Sequence, residues 1–222
     1  MFLEVKDLLS SQELDRLREL AGRLTFVDGR ATNPHSKVKN NLQLDYADPG
    51  YQESSELLHA ALTRNEEVRS FAFPLVIAPP LMTKYAPGMN YGEHSDAPFM
   101  QTPGRALRSD LSCTIFLSDP ASYEGGELSV QLGGRRLDFK LPAGGAVVYP
   151  STTIHQVRPV GAGERLVAIT FMESQVPDQF RRDLLHQLNE VIALEAYNVS
   201  WENRTRLAYV AGALTRMWSA GG

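Results

Sequence analysis

Between Leu75 and Met172 the chain is cut into short β-rich runs by closely spaced turn signals, and this rhythm restricts the fold more than any other feature. The runs are Leu81–Tyr85, Ser112–Leu117, Glu127–Leu132, Arg136–Leu141, Ala146–Tyr149, Ile154–Val157 and Arg165–Met172. Pro87-Gly88, Gly125-Gly126, Gly133-Gly134, Ala143-Gly144-Gly145 and Gly161-Ala162-Gly163 separate them. Glycine and proline reverse an extended chain at little steric cost. The pattern therefore predicts an all-β sandwich, barrel or jelly roll.

Helical texture flanks this region. Ser10 and Glu13 have the spacing of a capping box, and Leu14, Leu17, Ala21 and Leu24 follow at three- and four-residue steps. That helix should be amphipathic and lie on a larger body. A polar stretch from Asp28 to Gly50 follows, and Val38–Leu44 inside it alternates enough to read as a strand. Leu57, Leu58, Ala61, Leu62 and Val68 give an apolar face to one helix over Ser54–Ser70. Phe180–Leu194 and Trp201–Trp218 predict a C-terminal helical pair, with Ser200 as an N-cap. The expected division is a supporting segment over 1–74, a β core over 75–175 and the helical pair over 176–222.

Composition removes several function classes. The chain has 222 residues, and 22 Lys and Arg against 26 Asp and Glu leave a net charge of −4. This balance offers no footprint for nucleic acid or for an anionic membrane surface. No stretch approaches the roughly 20 apolar residues of a spanning helix. A single cysteine, Cys113, excludes an internal disulfide and a Cys-based zinc cluster, and its apolar strand suits an inert core thiol. Charges break the apolar run at the N-terminus almost at once, so the expectation is a cytoplasmic protein in which the sequons at Asn198 and Asn203 are accidents.

Two of the five histidines lie in a context that suggests chemistry. In an extended segment His94 and Asp96 point to one face, with Cα atoms roughly 6.5–7 Å apart, close enough to share a metal ion. His155 follows 61 residues later, on a strand that an antiparallel barrel could bring across its interior. Two imidazoles and one carboxylate form the facial triad of non-haem Fe(II) oxygenases, although an isolated His-x-Asp is also a common accident. Arg165, ten residues after His155, could anchor the far carboxylate of a dicarboxylic acid whose 2-oxo-acid end chelates the metal. The competing reading is a surface arginine paired locally. His35, His59 and His186 read as solvated.

Taken in order, Val38-Lys39-Asn40-Asn41, Tyr85-Ala86-Pro87-Gly88, His94-Ser95-Asp96, Arg108-Ser109-Asp110-Leu111-Ser112, Phe116-Leu117-Ser118-Asp119-Pro120, Tyr123-Glu124-Gly125-Gly126-Glu127-Leu128, Leu141-Pro142-Ala143-Gly144, Tyr149-Pro150-Ser151 and His155-x-Val157-x-Pro159-Val160 resemble the bacterial PKHD-type hydroxylases. These belong to the prolyl 4-hydroxylase-like 2-oxoglutarate- and Fe(II)-dependent dioxygenases, and the resemblance covers nearly the whole chain. It implies a mainly β protein with a double-stranded β-helix (jelly-roll) core. It also implies Fe(2+) on His94, Asp96 and His155, with the distal carboxylate of 2-oxoglutarate on Arg165 and Tyr85 as a further hydrogen-bond partner. The activity implied is hydroxylation of a small molecule or protein side chain with O2, releasing succinate and CO2, with L-ascorbate (vitamin C) as reductant. A tyrosine that some eukaryotic relatives use on the middle strand stands here as Phe116.

Further residues carry paired readings. Asn40, Asn41 and Gln43 could line a substrate channel or serve turns and strands; Arg108 and Asp110 could position substrate or form a structural ion pair. Tyr91 lies close enough in sequence to the ligands to support them or simply to pack. Segments 28–50 and 97–110 are the expected substrate-facing loops. The C-terminal helices could present a homodimer surface. The alternative to an enzyme is a cupin-like, metal-containing binding or sensing module without turnover.

Overall fold

The computed structural model describes residues 1–102, 104–195 and 198–220. Its N-terminal part runs β1 (Leu3–Val5), α1 (Ser11–Arg23), β2 (Phe26–Asp28), β3 (Lys39–Asn40), β4 (Leu42–Leu44), α2 (Gly50–Arg64) and α3 (Glu66–Ala72). The capping box forms: Ser10 Oγ accepts from the Glu13 N–H at 3.3 Å, and the Ser10 N–H donates to Glu13 Oε2 at 2.9 Å. The helix expected over Ser54–Ser70 is instead two. Asn65 leaves helical geometry (φ −72°, ψ 123°), and its side chain caps α3 by accepting from the Val68 N–H at 2.9 Å.

The β region comprises β5 (Pro74–Ile77), β6 (Leu81–Tyr85), β7 (Asn90–His94), β8 (Phe99–Thr102), β9 (Arg105–Arg108), β10 (Leu111–Phe116) and β11 (Tyr123–Gly125). It continues with β12 (Leu128–Leu132), β13 (Arg135–Phe139), β14 (Ala146–Pro150), β15 (His155–Val157), β16 (Val160–Gly163) and β17 (Arg165–Ser174). Helices α4 (Gln179–Leu194) and α5 (Trp201–Trp218) close the chain, with Ser200 capping α5 as expected. Every run expected between Leu75 and Met172 contains a strand, whereas the strand expected over Val38–Leu44 is two, β3 and β4, in different sheets. The sequence pattern missed the short strands β1, β2, β5, β8, β9 and β11, as well as β7, whose Asn-Tyr-Gly-Glu-His has no apolar alternation, and β16, which incorporates the Gly161–Gly163 run read as a turn.

The larger sheet has the order β1-β14-β10-β17-β6-β4-β2, with β5 also on β17; the smaller has the order β13-β12-β15-β7-β3. Their pairings are antiparallel, as in the jelly roll expected from the sequence. The period of two along β10 separates two environments. Leu111, Cys113 and Ile115 pack in one core cluster with Leu17 of α1, Leu58 and Leu62 of α2 and Phe71 of α3. Phe116 belongs to a second cluster with Leu128 and Val130 of the smaller sheet. Leu58 and Leu62 are fully buried, and each such side chain contributes about 1.5–3 kcal/mol through removal from water. Helices thus cover the outer face of the larger sheet, and the space between the sheets holds this second apolar cluster together with a cavity lined by Asp96, Ser112, His155 and Arg165. Among the described residues no helix is long and apolar enough to cross a membrane.

Candidate active site

His94 is the last residue of β7 and His155 the first of β15, and the two are direct cross-strand partners. This corrects the expectation that His155 arrives from across the interior: antiparallel pairing makes the two imidazoles neighbours in one sheet, with ring centroids 4.3 Å apart. Asp96 also departs from the extended geometry, because the chain leaves the sheet after His94 and the Asp96 N–H donates to Ser151 O at 3.3 Å. The turn swings the carboxylate back over both rings. His94 Nε2 lies 3.9 Å from Asp96 Oδ1, and His155 Nε2 lies 3.8 Å from Asp96 Oδ2. The three donor atoms lie within 4.8 Å of one another.

Each ligand candidate is held from behind. His94 Nδ1 is 2.8 Å from Gly92 O and His155 Nδ1 is 2.9 Å from Thr153 O. Donating Nδ1–H to a carbonyl fixes the tautomer and leaves the Nε2 lone pair free to face the carboxylate. Burial, then the neighbouring His155, pulls the pKa of His94 down to about 4, so its ring is neutral at pH 7. Tyr91 stacks on His94 with centroids 3.6 Å apart and planes 14° from parallel. Ser112 Oγ donates to Asp96 Oδ2 at 2.5 Å, and hydroxyl contacts continue to Ser151 at 2.8 Å and Ser109 at 2.9 Å. Sequence reading missed these serines as functional; the available signal was the placement of Ser112 between the inward-facing positions of a buried strand. Two imidazoles with inward-facing Nε2 atoms and a braced carboxylate suit a divalent iron.

Arg165 opens β17 opposite Tyr85 of β6, and it is 1% exposed. The surface reading of this arginine is therefore excluded. Its Nε and both terminal nitrogens lie buried with no hydrogen-bond partner. The guanidinium carbon is 5.0 Å from the Tyr85 ring centre and 5.8 Å from that of Phe116, so aromatic faces rather than hydrogen-bond partners flank the charge. Burial lowers the pKa of Arg165, while Tyr85, Tyr123 and Tyr149 oppose that shift. A buried charge without a partner costs several kcal/mol, so these orphaned donors fit a carboxylate such as the distal end of 2-oxoglutarate. Space for the Arg165 side chain depends on Gly126, at φ +67°, where a Cβ would lie 3.0 Å from Arg165 Cδ. The buried Tyr123 hydroxyl also lacks a partner and is a residue the sequence did not single out for this end of the site.

The remaining candidates separate. Asn41 lines the cavity with Tyr85, His94, Asp96, His155 and Arg165, and is 4% exposed. Gln43 is buried but accepts from Thr32 Oγ1 at 2.7 Å, and exposed Asn40 points to Gly88 O at 3.4 Å. Arg108 and Asp110 form a two-pronged ion pair at 2.8 and 3.0 Å, and Asp110 also accepts from the Ser174 N–H at 2.8 Å, tying β10 to the end of β17. Their role is structural. Cys113 is buried, and burial raises its thiol to about 12, as an inert core residue requires. His35 and His59 are exposed as expected, whereas half-buried His186 packs edge-on to Phe71 and approaches Ser70 O at 3.3 Å. Segment 97–110 forms the β8–β9 hairpin, with Pro103 outside the described residues.

A jelly roll carrying a His/Asp/His cluster and a buried arginine defines the class of 2-oxoglutarate- and Fe(II)-dependent oxygenases. Accordingly, the model of the 2OG-Fe(II) oxygenase superfamily matches residues 80–173. The fold is shared with a Pseudomonas putida prolyl-4-hydroxylase (TM-score 0.55, 23% identity, 78% of this chain and 92% of that chain). It is shared as well with HygX from Streptomyces hygroscopicus, solved with nickel and 2-oxoglutarate bound (TM-score 0.54, 14% identity, 76% and 81% coverage). Sequence relatives are closer. A PKHD-type hydroxylase of Sphingopyxis alaskensis is 53% identical over 211 residues, 95% of this chain and 96% of that protein. A second, from Nitrobacter winogradskyi, is 41% identical over 224 residues and 99% of both chains. The chain belongs to the PKHD-type hydroxylases. It is a 2-oxoglutarate-dependent hydroxylase, and the alternative of a cupin-like module without turnover is not favoured.

Proposed function

We propose that His94, Asp96 and His155 hold Fe(2+), and that Arg165 binds the distal carboxylate of 2-oxoglutarate while an unidentified small molecule or protein side chain is hydroxylated. One observation carries this reading: three metal-competent donors line the same cavity as a guanidinium whose three nitrogens are buried without partners. When bound, iron and cosubstrate supply the oxidising chemistry, in which O2 is consumed, 2-oxoglutarate becomes succinate and CO2, and one oxygen atom reaches the substrate as hydroxyl.

The residues supply geometry. Gly92 O and Thr153 O keep both imidazoles in the ligating tautomer, and Ser112 fixes one Asp96 oxygen so that the other is presented to the metal. Arg165 orients the cosubstrate from its far end, and Tyr85, opposite it on β6, supplies a phenol to the same carboxylate. Retention of the carboxylate ligand at Asp96 favours hydroxylation over halogenation. L-Ascorbate serves as the reductant that returns oxidised iron to the ferrous state. We place the catalytic core at residues 75–175 and the enzyme in the cytoplasm, where a lone thiol such as Cys113 stays reduced. The C-terminal helices would join two copies, supported by exposed Phe180, Leu194, Trp201, Tyr209 and Met217 on α4 and α5.

The test is anaerobic addition of Fe(II) and 2-oxoglutarate to the full chain. A weak visible charge-transfer band should appear, and admission of O2 should yield 2-oxoglutarate-dependent succinate. Absence of both overturns the assignment.

A further inference from the structure

The cavity is served by two cations, and the cosubstrate explains only one. Lys39 on β3 stands in register with Tyr91 of β7 and is 9% exposed. Its Nζ donates to Thr32 Oγ1 at 2.9 Å and lies 5.6 Å from the centre of the Tyr91 ring. Asp28, one of the two carboxylates whose charge it feels, is already engaged by Arg30 at 2.5 Å; the other is Asp96, the candidate metal ligand. Two residues on, where the chain passes from β3 to β4, Asn41 is 4% exposed, and its Oδ1, close against Gly29, has no hydrogen-bond partner. Lys39 and Asn41 line the same cavity as Tyr91, His94 and Asp96.

A buried ammonium with a single hydroxyl contact, beside an orphaned amide oxygen, is costly unless a ligand completes both. The two carboxylates of 2-oxoglutarate already have places in the reading given above, one at Arg165 and one at the metal. We infer that Lys39 binds a carboxylate of the molecule being hydroxylated, while Asn41 accepts from a neighbouring N–H or O–H, so that the substrate is a compact acid rather than a neutral peptide segment. The inference rests on the proposed function for the place of 2-oxoglutarate. Burial lowers the Lys39 ammonium only to about 8, so it remains largely protonated at pH 7.

The experiment uses the anaerobic Fe(II)·2-oxoglutarate form of the full chain. Free L-amino acids and short 2-hydroxy acids are titrated in, each against its own primary amide, and perturbation of the charge-transfer band reports binding. At least one acid should bind about tenfold or more tightly than its amide. Lys39→Met should erase that preference with the 2-oxoglutarate affinity retained, and Lys39→Arg should restore it. A normal band with acids and amides bound alike overturns the inference alone. So does loss of 2-oxoglutarate affinity in Lys39→Met, which would assign the lysine to the cosubstrate. A wild-type protein with neither the band nor 2-oxoglutarate-dependent succinate removes the proposed site assignment and this inference together.

Discussion

Arg165 brings a permanent charge into the interior, with its guanidinium near the rings of both Tyr85 and Phe116. Such a site demands a planar, two-pronged donor. Lysine offers a compact point charge on a flexible stem, so Arg165→Lys should weaken 2-oxoglutarate binding by about tenfold or more while iron stays bound. Anaerobic titration paired with metal analysis checks this, and unchanged cosubstrate affinity would remove the role given to Arg165. Ser112 makes a different demand. Its 2.5 Å hydrogen bond sets the direction of Asp96, and contacts to Ser151 and Ser109 set the direction of Ser112. Ser112→Ala should lower iron affinity by about tenfold, whereas Ser112→Thr retains the hydroxyl and the affinity. Equilibrium dialysis of the apoprotein against Fe(II) under argon reads this without turnover.

At the level of elements, α1 carries a capping carboxylate with a pH signature, set by Arg64 of α2 and by Ser10. The Arg64 guanidinium, with the Ser10 N–H and hydroxyl, holds Glu13 at about 2 against an ordinary value of 4.5. The folded carboxyl therefore binds its proton less readily than the unfolded one. Its contribution is complete above about pH 4.5 and is lost as pH falls toward about 2. Glu13→Gln should flatten that part of the acid-unfolding curve, measured by circular dichroism. The capping box at Ser10 is local, and local devices are what a sequence displays, whereas the Arg64 contact from 51 residues away is not. Ser10, Glu13 and the glycine-bounded runs are read within a few residues, and motif order brought out the His94, Asp96, His155 and Arg165 set. Less visible was whatever depends on partners distant in the chain. β7 has no apolar alternation because Tyr91 and His94 line the cavity while Glu93 is exposed and pairs with Arg136, and Asn65 splits a continuous apolar face with one side-chain cap. The serine string behind Asp96 exists only because β10 and the Ser151 turn meet in space.

For the molecule as a whole, packing is lopsided. Helices α1 to α3 share a core with the larger sheet, whereas α4 and α5 leave large apolar side chains exposed, Trp201 and Tyr209 each at 75%. Two copies joined through these helices would cover them. Sedimentation should then report twice the mass of a 222-residue chain, and Trp201→Glu with Tyr209→Glu should shift it toward the monomer without removing the charge-transfer band. A monomeric wild type would dismiss the interface.

The pairing of His94 with His155 ties the metal to the architecture in one more way. Both imidazoles are rungs of a single ladder, so a captured ion would rivet β15 to β7, and through β7 to the outermost strand that carries Lys39. Metal capture and the integrity of this sheet edge become one equilibrium. Iron starvation would then do more than deprive the enzyme of its oxidant: it would slacken the wall against which an acid substrate is meant to rest.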